Sequence, residues 1–396
     1  MKNYYNHSLG KEDFGGMVDR FLENSQIYLS KLLLIGTGLK DPANIETSVI
    51  ITLLIYALFG LAIYFAIRKS RVMRFVGYYL GVTLFISFVI LQTNWGQMRL
   101  IIIFVPLILI LLPWGLLELG NIKKVRWLQP AVILFLIIVF FRLFGLSVNK
   151  AKANNDILMK NLKGDKYTGF TPDWGNYLKM SEWAAKNVPE ESMIASRKPS
   201  MSYIYGDGRG FMGIYRFPTL PADTALALMG EKPGNPVILN EGILRSSGMP
   251  PELQFGMKRN VEAFLTAGDS IYSIFFFQEQ NKSAYLAVLQ QYNIKVESDL
   301  DFLRNRILAS GKPGIAVVPD SLVNLLYRNN VDYMIRANLR LNPAQKTERV
   351  INTIHRYMYY MEQKYYGIFS QTHQIGANDD EPAYLFQIHW ERYGFD

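Results

Sequence analysis

Between residues 48 and 146 the apolar side chains gather into four runs, 48–67, 75–91, 100–117 and 128–146. Each approaches the roughly 20 residues that a helix needs to cross a bilayer core of about 30 Å. Hydrocarbon offers no partner to backbone N–H and C=O groups, so a single run of this kind crosses it as a helix, which satisfies those groups internally. The runs predict four transmembrane helices, hence an integral protein of the cytoplasmic (plasma) membrane whose partner is the lipid bilayer. The rest of the chain divides around them: a juxtamembrane segment 1–47, the membrane region 48–146, a polar stalk 147–172 and a domain 173–396.

Charge supports this division. The 396 residues carry a formal charge of +9, which in a soluble protein would point to nucleic acid. Residues 147–396, however, hold 28 basic and 26 acidic side chains, while residues 48–146 hold nine basic ones against a single acid, Glu118. The excess sits in short loops between spans and is a topology signal; no nucleic-acid partner is expected. Residues 68–74, RKSRVMR, carry four cations, and residues 118–127 carry Lys123, Lys124 and Arg126. The loop between them has only Arg99. By the positive-inside rule the two rich loops face the cytoplasm. Arg99, residues 1–47 and everything after residue 146 then face outward. Trp95, Trp114 and Trp127 fall near the interfaces, where indole rings concentrate.

The outward segment has helical apolar spacing at Phe14, Met17, Val18, Phe21, Leu22, Tyr28, Leu29, Leu32 and Leu33, with Asp19, Arg20, Glu23 and Lys31 off that face. Such a pattern predicts an amphipathic helix lying in the outer interface. Glu12 and Asp13, just ahead of it, read first as helix-capping groups.

Arg99 opens the third run, and the nearest acid, Glu118, lies nineteen residues on. Arg142 stands four residues before the outer end of the last run. An arginine at a membrane border either snorkels to the interface or waits for an external anion, for which a lipid phosphate suits guanidinium geometry. Both alternatives stand for Arg99 and Arg142.

Beyond residue 172 the pattern changes to alternating elements. TPDWGNYLKMSEWAAKN starts a helix, with Thr171 placed to cap it and Pro172 in its first turn. MIAS, MSYIY, SIYSIFFF, GIAVV, VDYMI and AYLFQIHW read as strands, and AYLAVLQQY, SLVNLLYRN and TERVINTIHRYMYYMEQKYY as helices. GIAVVPDSLVNLLYRNNVDYMI looks like one strand–helix–strand unit with Asp320 or Ser321 as cap. The expectation is an extracytoplasmic α/β domain with a mixed sheet.

Chemistry-bearing motifs are few. The chain has no cysteine, so disulfides, thiolate metal sites and cysteine nucleophiles are excluded. His7, His355, His373 and His389 show no ligand spacing, and no metal ligands or resident cofactor can be named. GRGFMG (residues 208–213) fits G-x-G-x-x-G, but the following IYRFPTLPAD contains two prolines where a dinucleotide site needs a helix to open; a turn is expected instead. Arg197 and Lys198 follow a strand directly, where open α/β sheets tend to bind ligands, and Pro199 keeps Lys198 extended. The pair is a candidate for holding a phosphate, sugar or acceptor; the alternative is a solvated charged turn.

The layout resembles the C-terminal part of GT-C glycosyltransferases, the multi-span enzymes related to protein mannosyltransferases and aminoarabinose transferases. The resemblance rests on the outer amphipathic helix, on WGQMR before an apolar run with prolines, and on DWGNYLKMSEWAAKNVPEESMIASRKPSMSYIYG, which is similar to the opening of the extracytoplasmic domain in bacterial members. It implies a polyprenyl-phosphate-linked sugar as donor, inversion at the anomeric carbon, often a divalent metal, and a contact from Arg99 to the donor's lipid phosphate. These enzymes carry their catalytic acids in the first outer loop, ahead of many more spans. Glu12 and Asp13 follow no earlier span, so that role is not transferred to them. The expectation is a C-terminal portion without the catalytic acidic loop, partnered by a second chain that supplies further spans. The alternative is a non-catalytic membrane-anchored module that binds a glycan or a protein.

Overall fold

The computed structural model describes residues 11–40, 46–93, 98–277, 279–340 and 352–395; His7, Trp95 and the first residues of the helix expected from residue 347 lie outside them. The chain divides into two units, Met1–Leu158 and Met159–Asp396.

In the first unit, α1 (Phe14–Ser25) runs through a π-helical stretch (Gln26–Leu32) into α2 (Leu33–Gly36). Asp13 starts it by accepting the Gly16 N–H at 2.8 Å, which satisfies one of the free donors of the first turn. α3 (Val49–Lys69) and α4 (Arg71–Ile90) are separated by one residue, Ser70, whose extended backbone breaks the helix and whose hydroxyl accepts the Met73 N–H at 3.2 Å. α5 (Val105–Gly120) and α6 (Leu128–Ala153) complete the bundle. α3, α4 and α6 are long and apolar enough to cross a membrane.

α5 differs from its predicted span. Its α-helix begins five residues late, at Val105, after a 3-10 turn (Met98–Leu100) and a turn over residues 101–104. Pro106 is the physical reason: its ring excludes the carbonyl four residues earlier and it has no N–H to give. The 16 helical residues span roughly 24 Å at about 1.5 Å each, less than a bilayer core.

Small residues let α3 and α5 approach. A Cβ placed on Gly115 would meet Ala62 Cβ at 2.5 Å and Ala62 Cα at 2.6 Å, so the two backbones touch there as membrane helices do at small-residue pairs. At the far end of the same helices Lys69 pairs with Glu118 at 2.6 Å. The amphipathic segment is built into this bundle through its second half, where Tyr28, Leu29, Leu32 and Leu33 are buried with Ile55, Phe88 and Ile108. Phe14, Met17, Val18 and Leu22 on its first half stay exposed. Asn24, fully buried, donates to Phe88 O at 2.7 Å and Leu91 O at 2.8 Å, and so occupies carbonyls that the end of α4 leaves free. The first part of the stretch expected as a polar stalk is helical, since α6 continues to Ala153 and α7 (Asn155–Leu162) follows, and turns lead from there to residue 171.

The second unit opens with α8 (Pro172–Asn187), β1 (Met193–Ser196), α9 (Pro199–Tyr205), β2 (Phe211–Gly213), β3 (Leu220–Pro221) and α10 (Ala222–Gly230). β4 (Val237–Asn240), α11 (Glu241–Ser246), α12 (Pro251–Lys258), β5 (Val261–Ala267) and β6 (Ser270–Phe275) come next. Then α13 (Glu279–Gln291), α14 (Leu300–Ser310), β7 (Ile315–Val317), α15 (Pro319–Tyr327), β8 (Val331–Arg336), α16 (Thr353–Lys364), β9 (Phe369–Ile375) and β10 (Ala383–Ile388) lead to a final 3-10 turn (Trp390–Tyr393).

The strands form two five-stranded sheets. The mixed sheet has the order β2-β1-β8-β10-β9, with β2, β1 and β8 parallel and β10 and β9 antiparallel. The second sheet, β3-β7-β5-β6-β4, is antiparallel throughout. Period-two alternation sorts the side chains. Val237, Leu239, Phe264 and Phe275 of the second sheet share a core with Ala195, Met334 and Phe386 of the mixed sheet and with α15 and α16. Ile238, Ala263, Leu265 and Ile274 point to the opposite face, under α10 and α14. Ile194, Ile335 and Leu385 face α8.

Three expectations change here. Residues 201–205 are helical, because Pro199 starts α9 where a strand was predicted. The strand–helix–strand unit is not closed within one sheet: β7 pairs with β3 and β5, whereas β8 pairs with β1 and β10, and α15 bridges them by burying Leu322, Val323 and Leu326. Neither Thr171 nor Asp320 caps its helix through its side chain; the Asp320 carboxylate is engaged by Lys364 and Tyr365.

Candidate anion site at the carboxyl edge of the mixed sheet

β1 and β8 are parallel neighbours, and Ala195 stands opposite Met334. Both face the shared core. Arg197 follows the last residue of β1 and Arg336 closes β8, so both residues stand at the carboxyl end of neighbouring parallel strands. This is the edge at which parallel strands of α/β folds present ligands.

The turn that carries Arg197 is fixed from below. Tyr177 of α8 is buried; its phenolic oxygen lies 2.7 Å from Ser202 Oγ and accepts the Lys198 N–H at 3.0 Å. Ser181 adds a contact to Ser202 at 2.9 Å. Burial pushes the Tyr177 hydroxyl well above the usual phenol range, so it stays a neutral donor and acceptor. A Cβ on Gly213 would meet Tyr215 and Pro199, so β2 closes tightly over the same turn. Arg197 emerges half-buried from this frame and, among the described residues, has no ion-pair partner. Lys198 is different: its backbone N–H is held by Tyr177 and the residue makes a further contact.

Sequence inspection missed Arg336. Its guanidinium lies 4.9 Å from the ring centre of Tyr384 and 4.5 Å from that of Phe386, both on the adjacent strand β10. Stacking on two aromatic faces holds the cation by its ring quadrupoles. Glu362 of α16 interacts with it electrostatically; burial raises the Glu362 carboxyl above its ordinary value, and Arg336 opposes that rise. The signal was present in VDYMIR, where Arg336 is in phase with the core-facing Met334.

The glycine motif makes no such site. Asp207 and Gly208 have positive φ values of 52° and 87° and form a turn between α9 and β2. Arg209 within it donates to the carbonyls of Ala185 and Ser192 at 3.1 and 2.9 Å, and also to Val188 and Pro189. It thereby occupies the free carbonyl end of α8.

The two remaining candidates lie in the first unit. Arg99 sits on the 3-10 turn before α5, at the end of the bundle where α3 begins and α4 ends; its side chain is exposed. Arg142 is exposed on α6, beside Gly38 at the end of the amphipathic segment. Among the described residues neither has an ion-pair partner. Glu12 pairs with Arg20, and Asp13 caps α1, so both acids are committed to holding that helix. No group of three or more metal-ligating side chains is found among the described residues. No protein-family model matches the chain, no curated protein matches it, and no solved structure matches it.

Proposed function

We propose that this chain is the C-terminal part of a GT-C-type membrane glycosyltransferase. In this reading α3 to α6 form four spans, with the shorter α5 completed by its irregular entry, and the second unit is extracytoplasmic. A polyprenyl-phosphate-linked sugar is the donor and an extracytoplasmic molecule the acceptor. The observation that carries the proposal is Arg99: an exposed guanidinium with no acidic partner among the described residues, on a 3-10 turn at the mouth of an apolar helix. A cation at that border attracts a lipid phosphate through charge-assisted, bidentate hydrogen bonds. Arg142 reinforces the positive field at the same end of the bundle. Glu12 and Asp13 hold a helix rather than a substrate, so the catalytic acids would come from a second chain with further spans, together with any divalent metal those acids require.

The test is binding of a polyprenyl phosphate to the purified chain in detergent, comparing wild type with Arg99→Ala. Saturable binding that falls at least tenfold in the variant supports the reading. Equal binding in both, or none, removes it.

A second reading is favoured by Arg197 and the aromatic-stacked Arg336 standing at the carboxyl ends of adjacent parallel strands. On that reading the second unit is a binding module for an acidic glycan, anchored by the first. Binding of polygalacturonate that is lost in Arg197→Gln and Arg336→Gln supports it, and binding indifferent to both removes it.

A further inference from the structure

At the opposite edge of the mixed sheet the end of α12, the end of α16 and the closing 3-10 turn meet around a cavity of about 310 Å³ lined by Arg259, Lys364, Tyr365, Tyr366, Arg392 and Tyr393. Its walls are pinned from inside. Lys258, buried, donates to Glu241 Oε2 at 2.8 Å and to Gln363 Oε1 at 2.7 Å. Glu241 also accepts from the buried Ser273 hydroxyl. Each partner in the Lys258–Gln363 bond immediately precedes a cavity residue, Arg259 in one case and Lys364 in the other. That hydrogen bond therefore helps fix the spacing of two cavity cations. Phe255 stacks on Tyr366 at 3.9 Å between ring centres and closes the same wall.

The cations differ in how far they are already satisfied. Lys364 is neutralised by Asp320 at 2.8 Å, and Tyr365 donates to the same carboxylate at 2.7 Å. Arg392 gives one N–H to Gly367 O at 2.6 Å, a neutral acceptor that orients the guanidinium, and it forms no ion pair among the described residues, Glu391 beside it being paired with His389. Arg259 is exposed and has no ion-pair partner among the described residues. Both arginines lie close enough to Tyr393 to oppose the rise that burial imposes on its phenol. The cavity thus presents two guanidinium groups that form no ion pair among the described residues, one phenol-lined wall, and the half-exposed face of Tyr366.

We propose that this cavity binds a phosphomonoester carried on a monosaccharide-sized body. Two converging arginines match a dianionic, multi-oxygen group in charge and geometry. The volume falls at the small end of ligand pockets, which suits one sugar ring and its phosphate, and the open face of Tyr366 offers that ring a stacking surface. The proposal stands apart from the sites at Arg99 and Arg197, and its failure would leave both untouched.

The experiment uses the full chain in nanodiscs without anionic lipid. Titration calorimetry measures binding of glucose 1-phosphate and glucuronate, and a second set of nanodiscs containing phosphatidic acid is used to compete for glucose 1-phosphate. The expected result is saturable glucose 1-phosphate binding, tighter than that of glucuronate, weakened at least tenfold by Arg259→Gln and by Arg392→Gln and unchanged by Arg197→Gln. Competition by phosphatidic acid would assign the phosphate to a lipid headgroup, and its absence to a soluble sugar phosphate; either outcome supports a phosphomonoester site. Arg392 supports a backbone carbonyl, so Arg259→Gln, at an exposed position, is the decisive variant, with its melting temperature checked against wild type. Absence of glucose 1-phosphate binding at millimolar concentration, or binding unaffected by Arg259→Gln, overturns the proposal.

Discussion

Lys258 offers the sharpest test of how the second unit is held together. It is 2% exposed, its partner Glu241 is 3% exposed, and Ser273 is fully buried. Replacing Lys258 by Met keeps the length of the side chain and removes the charge. Glu241 then retains only the Ser273 hydroxyl and Arg245, which stands 3.8 Å away and is half exposed, while Gln363 loses its donor. Breaking a buried ion pair by removing one partner costs about 3–5 kcal/mol, because the other charge is left behind. Arg245 can swing inward and recover part of that, so the lower end, about 3 kcal/mol, is expected. For a unit of this size each 1 kcal/mol lowers the midpoint by about 2–4 °C, giving a fall of roughly 6–12 °C in thermal unfolding followed in the full chain by hydrogen exchange at β5, β6 and α16. The double variant Glu241→Leu/Lys258→Met removes both charges and should recover most of the loss, since hydrophobic replacement of a buried pair is often near neutral. Equal destabilisation by the single and double variants would refute the argument, because it would mean that packing rather than the stranded charge sets the cost.

Three further outcomes follow from other contacts. Gly115→Ala puts a methyl group against Ala62 Cα, which cannot move aside, so α3 and α5 must separate; a loss of about 1–3 kcal/mol is expected from such overpacking, read as a lower melting point in detergent. Asn24→Leu leaves the carbonyls of Phe88 and Leu91 without their buried donor, at about 1–3 kcal/mol for the unmet groups, and should speed amide exchange at the end of α4. Glu182 is bound by Lys186, Tyr167 and Lys166, which hold its carboxyl at about 2, below the ordinary 4.5. Its folded value is depressed, so the stabilisation is complete above 4.5 and lost as pH falls towards 2; Glu182→Gln should flatten the acid limb of the second unit's stability in that window.

The long apolar helices were legible because length and apolarity are local properties of a run, but residues 68–74, read as a loop, are helical on both sides of Ser70. α5 was read too early because a hydropathy run does not register that Pro106 stops a helix from extending backward. In the second unit SIYSIFFF, VDYMI and AYLFQIHW declared themselves by alternation, but no local pattern says which sheet a strand joins. That is why GIAVV and VDYMI, adjacent in sequence, were placed in one sheet and belong to two. The short helix α9 hid behind Met201, Tyr203 and Tyr205, whose strand-like alternation is overruled by the proline two residues earlier.

Site residues divide along the same line. Arg197 could be found because it follows a strand and stands two residues before a proline, both visible within four residues. Arg336 becomes significant only when β10 brings Tyr384 and Phe386 alongside, and Arg259, Lys364 and Arg392 come from positions up to 133 residues apart. Their meeting depends on the Lys258–Gln363 bond, 105 residues long in sequence. A buried lysine of that kind is the feature worth seeking in a sequence such as FGMKR: the amphipathic phase of α12 puts Lys258 beside the buried Met257 and leaves Arg259 outside. A charge on the core-facing side of a short helix demands a partner, and locating that partner would have pointed to the wall of the cavity before any coordinates were known.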